Sequence, residues 1–106
     1  MRLITMTEFL MGRASIDELP TDLAHNAASM VSIANQVLID FGEYRKVNSG
    51  YRRPEDNAAA GGAKRSAHMT CEAVDLEDKD GKLKKWLTEE LLDKYCLLYT
   101  SDAADE

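Results

Sequence analysis

A chain of 106 residues, 44% hydrophobic and 30% charged, has enough apolar material for one modest core and a single domain. Its formal net charge of −6 argues against a nucleic-acid partner, which rewards a basic face. No apolar run approaches the roughly 18 residues of a membrane span, and the opening residues 1–8 lack the basic-then-apolar layout of a secretory signal.

In chain order, Thr7 can cap a short helix that runs through Met11 and stops at Gly12. A stronger helix follows. Thr21 stands at its N-cap and Asp22 in its first turn. Leu23, Ala27, Met30, Ala34, Val37 and Phe41 then recur at steps of three and four, drawing one apolar stripe along about five turns. Gly42 is its stop. Residues 46–52 read as a short strand leading into a turn. Pro54 suits the first position of a short helix through Ala60, with Glu55 and Asp56 near its positive end and Gly61-Gly62 breaking it. Residues 72–76 alternate polar and apolar side chains, as a half-buried strand does. Residues 78–81 are a turn, and Leu83, Trp86, Leu87, Glu90, Leu91 and Lys94 predict one amphipathic helix to about Tyr95. Helices and strands in this order imply an α+β domain.

Residues 96–106 change character abruptly. They resemble the translation of a transposase adapter used in building sequencing libraries, so the expectation is a native domain over residues 1–95 and a foreign tail over 96–106. Without the tail, Cys71 is the sole native thiol and an internal disulfide is impossible. With it, one possible Cys71–Cys96 pair is still a thin basis for a disulfide framework, which favours a reducing compartment.

The segment richest in chemistry is residues 66–75. A neutral imidazole and a carboxylate are both good zinc ligands. His68 lies in the loop before the second strand and Asp75 within that strand, so a turn between them can bring both to one metal. Spacing alone leaves two unrelated surface residues as the commoner outcome.

Ser66-x-His68-x-x-Cys71-x-Ala73-x-Asp75 resembles the zinc signature of D-alanyl-D-alanine carboxypeptidases and related phage endolysins. Ser49-Gly50-Tyr51-Arg52, then Asn57, then Gly61-Gly62-Ala63-Lys64 match the same family's run into that signature. The resemblance covers about half the chain. It implies an α+β fold with a small antiparallel sheet and flanking helices, of the hedgehog/DD-peptidase type, here incomplete. It implies Zn2+ as cofactor, with His68 and Asp75 as two ligands, and Arg52 and Ser66 holding a substrate carboxylate or carbonyl. A guanidinium fork suits either group. The implied reaction is hydrolysis of an amide bond in a peptidoglycan stem peptide or cross-link, by a monomer with no nucleic-acid or membrane partner. The expected setting is cytoplasmic synthesis without a signal, then action on the wall after release or within a virion.

Two departures from the pattern stand out. The family usually has glycine where this chain has Cys71, which either packs as a small thiol or serves as a further zinc ligand. The family also draws its third ligand, a histidine, and its general-base carboxylate from a downstream segment, and no histidine follows Asp75 here. Glu89 and Glu90 sit in a helix and read as solvated. The expectation is therefore a chain that binds zinc weakly and does not hydrolyse peptide as it stands. The rival from another class is a non-catalytic zinc-binding or wall-binding virion module of the same fold.

Other candidates read blandly. His25 lies off the apolar stripe of the long helix. Residues 76–81 fail as a calcium loop because Leu76 and Leu87 stand where acids are needed. Trp86 is core or core-edge, and Tyr51 either lines a cleft or packs on a helix.

Overall fold

The computed structural model describes residues 2–59, 61 and 67–95. Helix α1 spans Met6–Phe9 and opens with a capping box, in which Thr5 Oγ1 accepts from the Glu8 amide and Glu8 Oε1 accepts from the Thr5 amide. The cap is thus two residues earlier than Thr7. The Thr-x-x-Glu spacing satisfies two amides at once, and starting there buries Phe9 and Leu10. Met11 and Gly12 follow with φ of 60° and 70°, which turn the chain sharply. A single 3-10 turn at Ile16–Glu18, absent from the sequence-based expectation, rests on a second Ser-x-x-Glu pairing between Ser15 and Glu18.

Helix α2, Thr21–Phe41, is the spine of the domain. It ends as expected at Gly42, whose φ of 93° admits the left-handed stop and whose amide donates to the Leu38 carbonyl. Three buried clusters draw on it, the second and third from different faces of the same stretch. Ala27 packs with Phe9, Leu10, Tyr51 and Cys71. Ala34 and Leu38 pack with Ile4 and Val47. Val37 packs with Leu83 and Tyr95. Asn35 pins the N-terminal segment to this spine, accepting from the Ile4 amide at 2.7 Å and donating to its carbonyl at 3.0 Å.

Strands β1 (Val47–Ser49) and β2 (Asp75–Leu76) form a two-stranded antiparallel sheet in which Val47 faces Leu76 and Ser49 faces Asp75. Two steps along β1 match one along β2, an irregularity of the bulge type. Both strands are shorter than the alternation predicted. Residues 50–52 leave the sheet because their backbone groups bond elsewhere, and residues 72–74 emerge from a turn that ends at Cys71 with φ of 61°.

Helix α3, Pro54–Ala59, starts at the proline as expected; Ala60 lies outside the described residues. The final amphipathic segment is two helices rather than one: α4, Lys82–Trp86, and α5, Glu89–Lys94. Leu87 leaves helical geometry and Thr88 caps α5 by accepting from the Leu91 amide. The break lets Leu83 and Tyr95 share the cluster around Val37 while Trp86 stacks at a tilt on Phe41, ring centres 5.4 Å apart. Among the described residues no helix is long and apolar enough to cross a membrane.

Candidate metal centre

The end of β1, the start of β2 and the turn before β2 converge on one place. His68 is buried in the turn at residues 67–71, and Asp75 opens β2. Their side chains meet: His68 Nε2 stands 3.4 Å from Asp75 Oδ2. The imidazole is 5% exposed and the carboxylate 38%, so the pair is reached by solvent from the Asp75 side chain rather than from the ring.

The other imidazole nitrogen is committed. His68 Nδ1 lies 2.8 Å from the Gly50 carbonyl oxygen. A carbonyl only accepts, so Nδ1 carries a proton, and Nε2 is the nitrogen that faces Asp75. A backbone acceptor behind one ring nitrogen is the usual means of fixing the tautomer of a metal-binding histidine.

Gly50 is held in turn. A side chain at that position would place its Cβ 2.0 Å from the Phe9 carbonyl oxygen, so the close approach of α1 requires glycine. Tyr51 donates its amide to that same Phe9 oxygen at 2.9 Å, and Arg52 donates its amide to the His68 carbonyl at 3.1 Å. The Ser-Gly-Tyr-Arg run therefore works largely through its backbone. Tyr51 itself is buried against Phe9, Ala27 and Cys71, which decides for packing over cleft lining.

Arg52 is 7% exposed, low for a guanidinium, and its Nη1 donates to Oδ1 of the buried Asn57 at 3.5 Å. Asn57 on α3 is thereby given a part that the sequence had not assigned: it braces the arginine. Ser66 lies outside the described residues, as do residues 62–65.

Cys71 does not join His68 and Asp75. Its side chain is fully buried in the cluster with Phe9, Leu10, Ala27 and Tyr51. Burial, helped by the neighbouring Glu72 charge, pushes its thiol pKa up to about 11, which disfavours the thiolate a metal needs. Its φ of 61° also explains why glycine suits this position.

Among the described residues no group of three His, Cys, Asp or Glu side chains could hold a metal. The pair alone does fit zinc as two ligands: donors each about 2.1 Å from a tetrahedral centre stand about 3.4 Å apart, the separation seen between Nε2 and Oδ2. His25, Glu89 and Glu90 are exposed, as expected. Asp78 uses its carboxylate oxygens on the Leu83 and Lys84 amides, both at 3.0 Å, which makes it the cap of α4 rather than part of a calcium loop.

Comparison with known families matches residues 5–102 to the family described as peptidase M15. No curated protein and no solved structure matches the chain. The family match runs through α1, the spine and both halves of the His68–Asp75 motif, and M15 peptidases are generally zinc-dependent; this chain belongs to the peptidase M15 family.

Proposed function

We propose that the chain is the zinc-binding part of a metallopeptidase that hydrolyses D-amino-acid-containing peptide bonds of bacterial peptidoglycan, as a carboxypeptidase or an endolysin. The observation that carries this reading is the 3.4 Å approach of His68 Nε2 to Asp75 Oδ2 with Nδ1 already engaged. In it, His68 and Asp75 supply two ligands, the neutral imidazole through Nε2 and the carboxylate through Oδ2. Zinc, when bound, supplies Lewis-acid polarisation and a water acidic enough to ionise near pH 7.

The chain's own residues do the rest of what can be assigned. Arg52 carries a permanent charge on a planar fork and is steadied by Asn57 and by its own amide bond to His68. That suits it to a stem-peptide carboxylate, or to a carbonyl oxygen gaining charge. Ser66 is assigned a supporting contact to the same group. The Gly50 carbonyl holds the imidazole proton at Nδ1. Because the sequence has no histidine after Asp75, the 106-residue chain alone is expected to bind zinc weakly and to be inactive. The proposed partner is a peptidoglycan stem peptide or cross-link, met by a monomer after release from the cytoplasm or from a virion.

Chelator-competition titration of the purified chain tests the site. Weak 1:1 zinc binding that His68→Ala and Asp75→Ala each abolish is expected, and binding indifferent to both substitutions would reject the assignment. NMR titration with a stem peptide ending in D-alanyl-D-alanine tests the substrate. Shifts centred on Arg52 that Arg52→Lys weakens are expected, because an ammonium cannot reproduce the fork. No response to the peptide would exclude that substrate class.

A further inference from the structure

We infer that Arg13, in the turn after α1, is a positioning residue that aims the His68 imidazole and the Arg52 side chain through the peptide unit between Tyr51 and Arg52. The inference rests on the reading of His68 as a ligand.

Two successive peptide units carry the site, and each is gripped at both ends. In the first, the Gly50 carbonyl accepts from His68 Nδ1 at 2.8 Å while the Tyr51 amide donates to the Phe9 carbonyl at 2.9 Å. In the second, the Arg52 amide donates to the His68 carbonyl at 3.1 Å while the Tyr51 carbonyl accepts from Arg13 Nη1 at 2.8 Å. His68 therefore touches both units, once with its ring and once with its backbone. Phe9 and Arg13 hold the opposite ends.

The Arg13 grip comes from a side chain, which makes it the end that substitution can release. Its guanidinium also reaches Asp56 on α3, Nε to Oδ2 at 3.5 Å. That second contact fixes the fork's direction and ties the Tyr51 carbonyl to the first turn of the helix bearing Asn57. A charge-assisted, partly buried bond to a carbonyl is among the stronger neutralising contacts a peptide plane can receive. Losing it lets the Tyr51–Arg52 plane rotate. The rotation moves the Gly50 carbonyl away from Nδ1 on one side and the Arg52 Cα on the other.

Arg13 is part-exposed, with 29% of its side chain accessible, and it lies outside the buried clusters. Arg13→Met and Arg13→Gln keep the stem and remove the fork. The readout is the pair of His68 ring-nitrogen shifts in the metal-free full chain, together with zinc affinity by chelator competition. Wild type is expected to show Nδ1 protonated and hydrogen-bonded to its carbonyl acceptor. Both variants should fold, lose the hydrogen-bonded Nδ1–H signal, and lose about tenfold in zinc affinity, the range for groups that orient a metal ligand. Arg13→Lys, which retains a donor, should recover part of both.

A wild-type Nδ1–H signal and affinity in the folded variants would overturn the inference. So would global unfolding of both variants, since Arg13 would then be holding the fold rather than aiming the imidazole. Absence of zinc binding in wild type would reject the metal reading, yet the ring-nitrogen signature would still report on Arg13.

Discussion

Position 71 offers a test in which two effects of opposite sign can be separated. Cys71 is fully buried and sits at φ of 61°, a conformation that costs an L-residue with a Cβ about 1–2 kcal/mol. Cys71→Ala keeps that cost and removes the sulfur, losing roughly 1 kcal/mol of apolar burial plus a small cavity term. Cys71→Gly loses the sulfur and the Cβ but also relieves the backbone. Elsewhere in a chain, glycine is about 0.5–1 kcal/mol worse than alanine because it orders more freedom on folding. Here the strain relief of about 1–2 kcal/mol offsets that entropy together with about 0.8 kcal/mol for the lost buried Cβ, so the two variants should be about equally stable. At an unstrained buried position glycine would be worse by about 1.3–1.8 kcal/mol. Urea unfolding of both variants at pH 7 with matched slopes measures the difference directly. If Cys71→Gly proves less stable than Cys71→Ala by about 1.5 kcal/mol or more, the left-handed turn between His68 and β2 is misplaced. The geometry that delivers His68 to Asp75 would fall with it.

Three further outcomes follow from the same structure. Gly50→Ala forces a Cβ to within 2.0 Å of a backbone oxygen that cannot move without α1; it should cost about 3 kcal/mol or more and remove the Nδ1–H signature of His68, as read by melting and ring-nitrogen shifts. Tyr95 donates its hydroxyl to Asp40, and burial followed by that bond raises its pKa to about 12. The folded-state value lies above the ordinary 10.0, so this contribution is fully present below pH 10 and is lost as pH climbs toward 12. Tyr95→Phe should flatten the alkaline limb of a stability–pH curve, and an unchanged limb would count against the contact. Glu8 is held below the usual carboxylate range first by the Tyr44 hydroxyl and then by the Thr5 amide. Its contribution is present above pH 4.5 and disappears as the carboxyl protonates below that, so Tyr44→Phe should lessen the acid sensitivity seen in pH-jump unfolding.

The helix α2 was readable from the chain because its apolar stripe has one period and its stop is a glycine: Ala27, Ala34 and Val37 are buried as that period requires. Pro54 and Gly42 likewise act through local backbone geometry, which neighbours in sequence decide. Family resemblance points to His68, Asp75, Arg52 and Ser66 without saying what each touches, and Asn57 stands in the same run with no part assigned. The capping boxes at Thr5–Glu8 and Ser15–Glu18 are also legible, since each is a hydroxyl followed three residues on by a glutamate. Thr88 is likewise a local N-cap signal, and it divides what the apolar period alone reads as one helix.

Packing between elements settles the company these residues keep. That Gly50 must lie against α1, that its carbonyl stands behind the imidazole, and that Arg13 grips the next peptide unit are contacts spanning 18 to 41 positions in the chain. No local periodicity encodes such pairings, because they arise where separately formed elements pack. The fate of Cys71 is of the same kind: the residue type permits a ligand or a core thiol, and only the direction of a left-handed turn sends it inward.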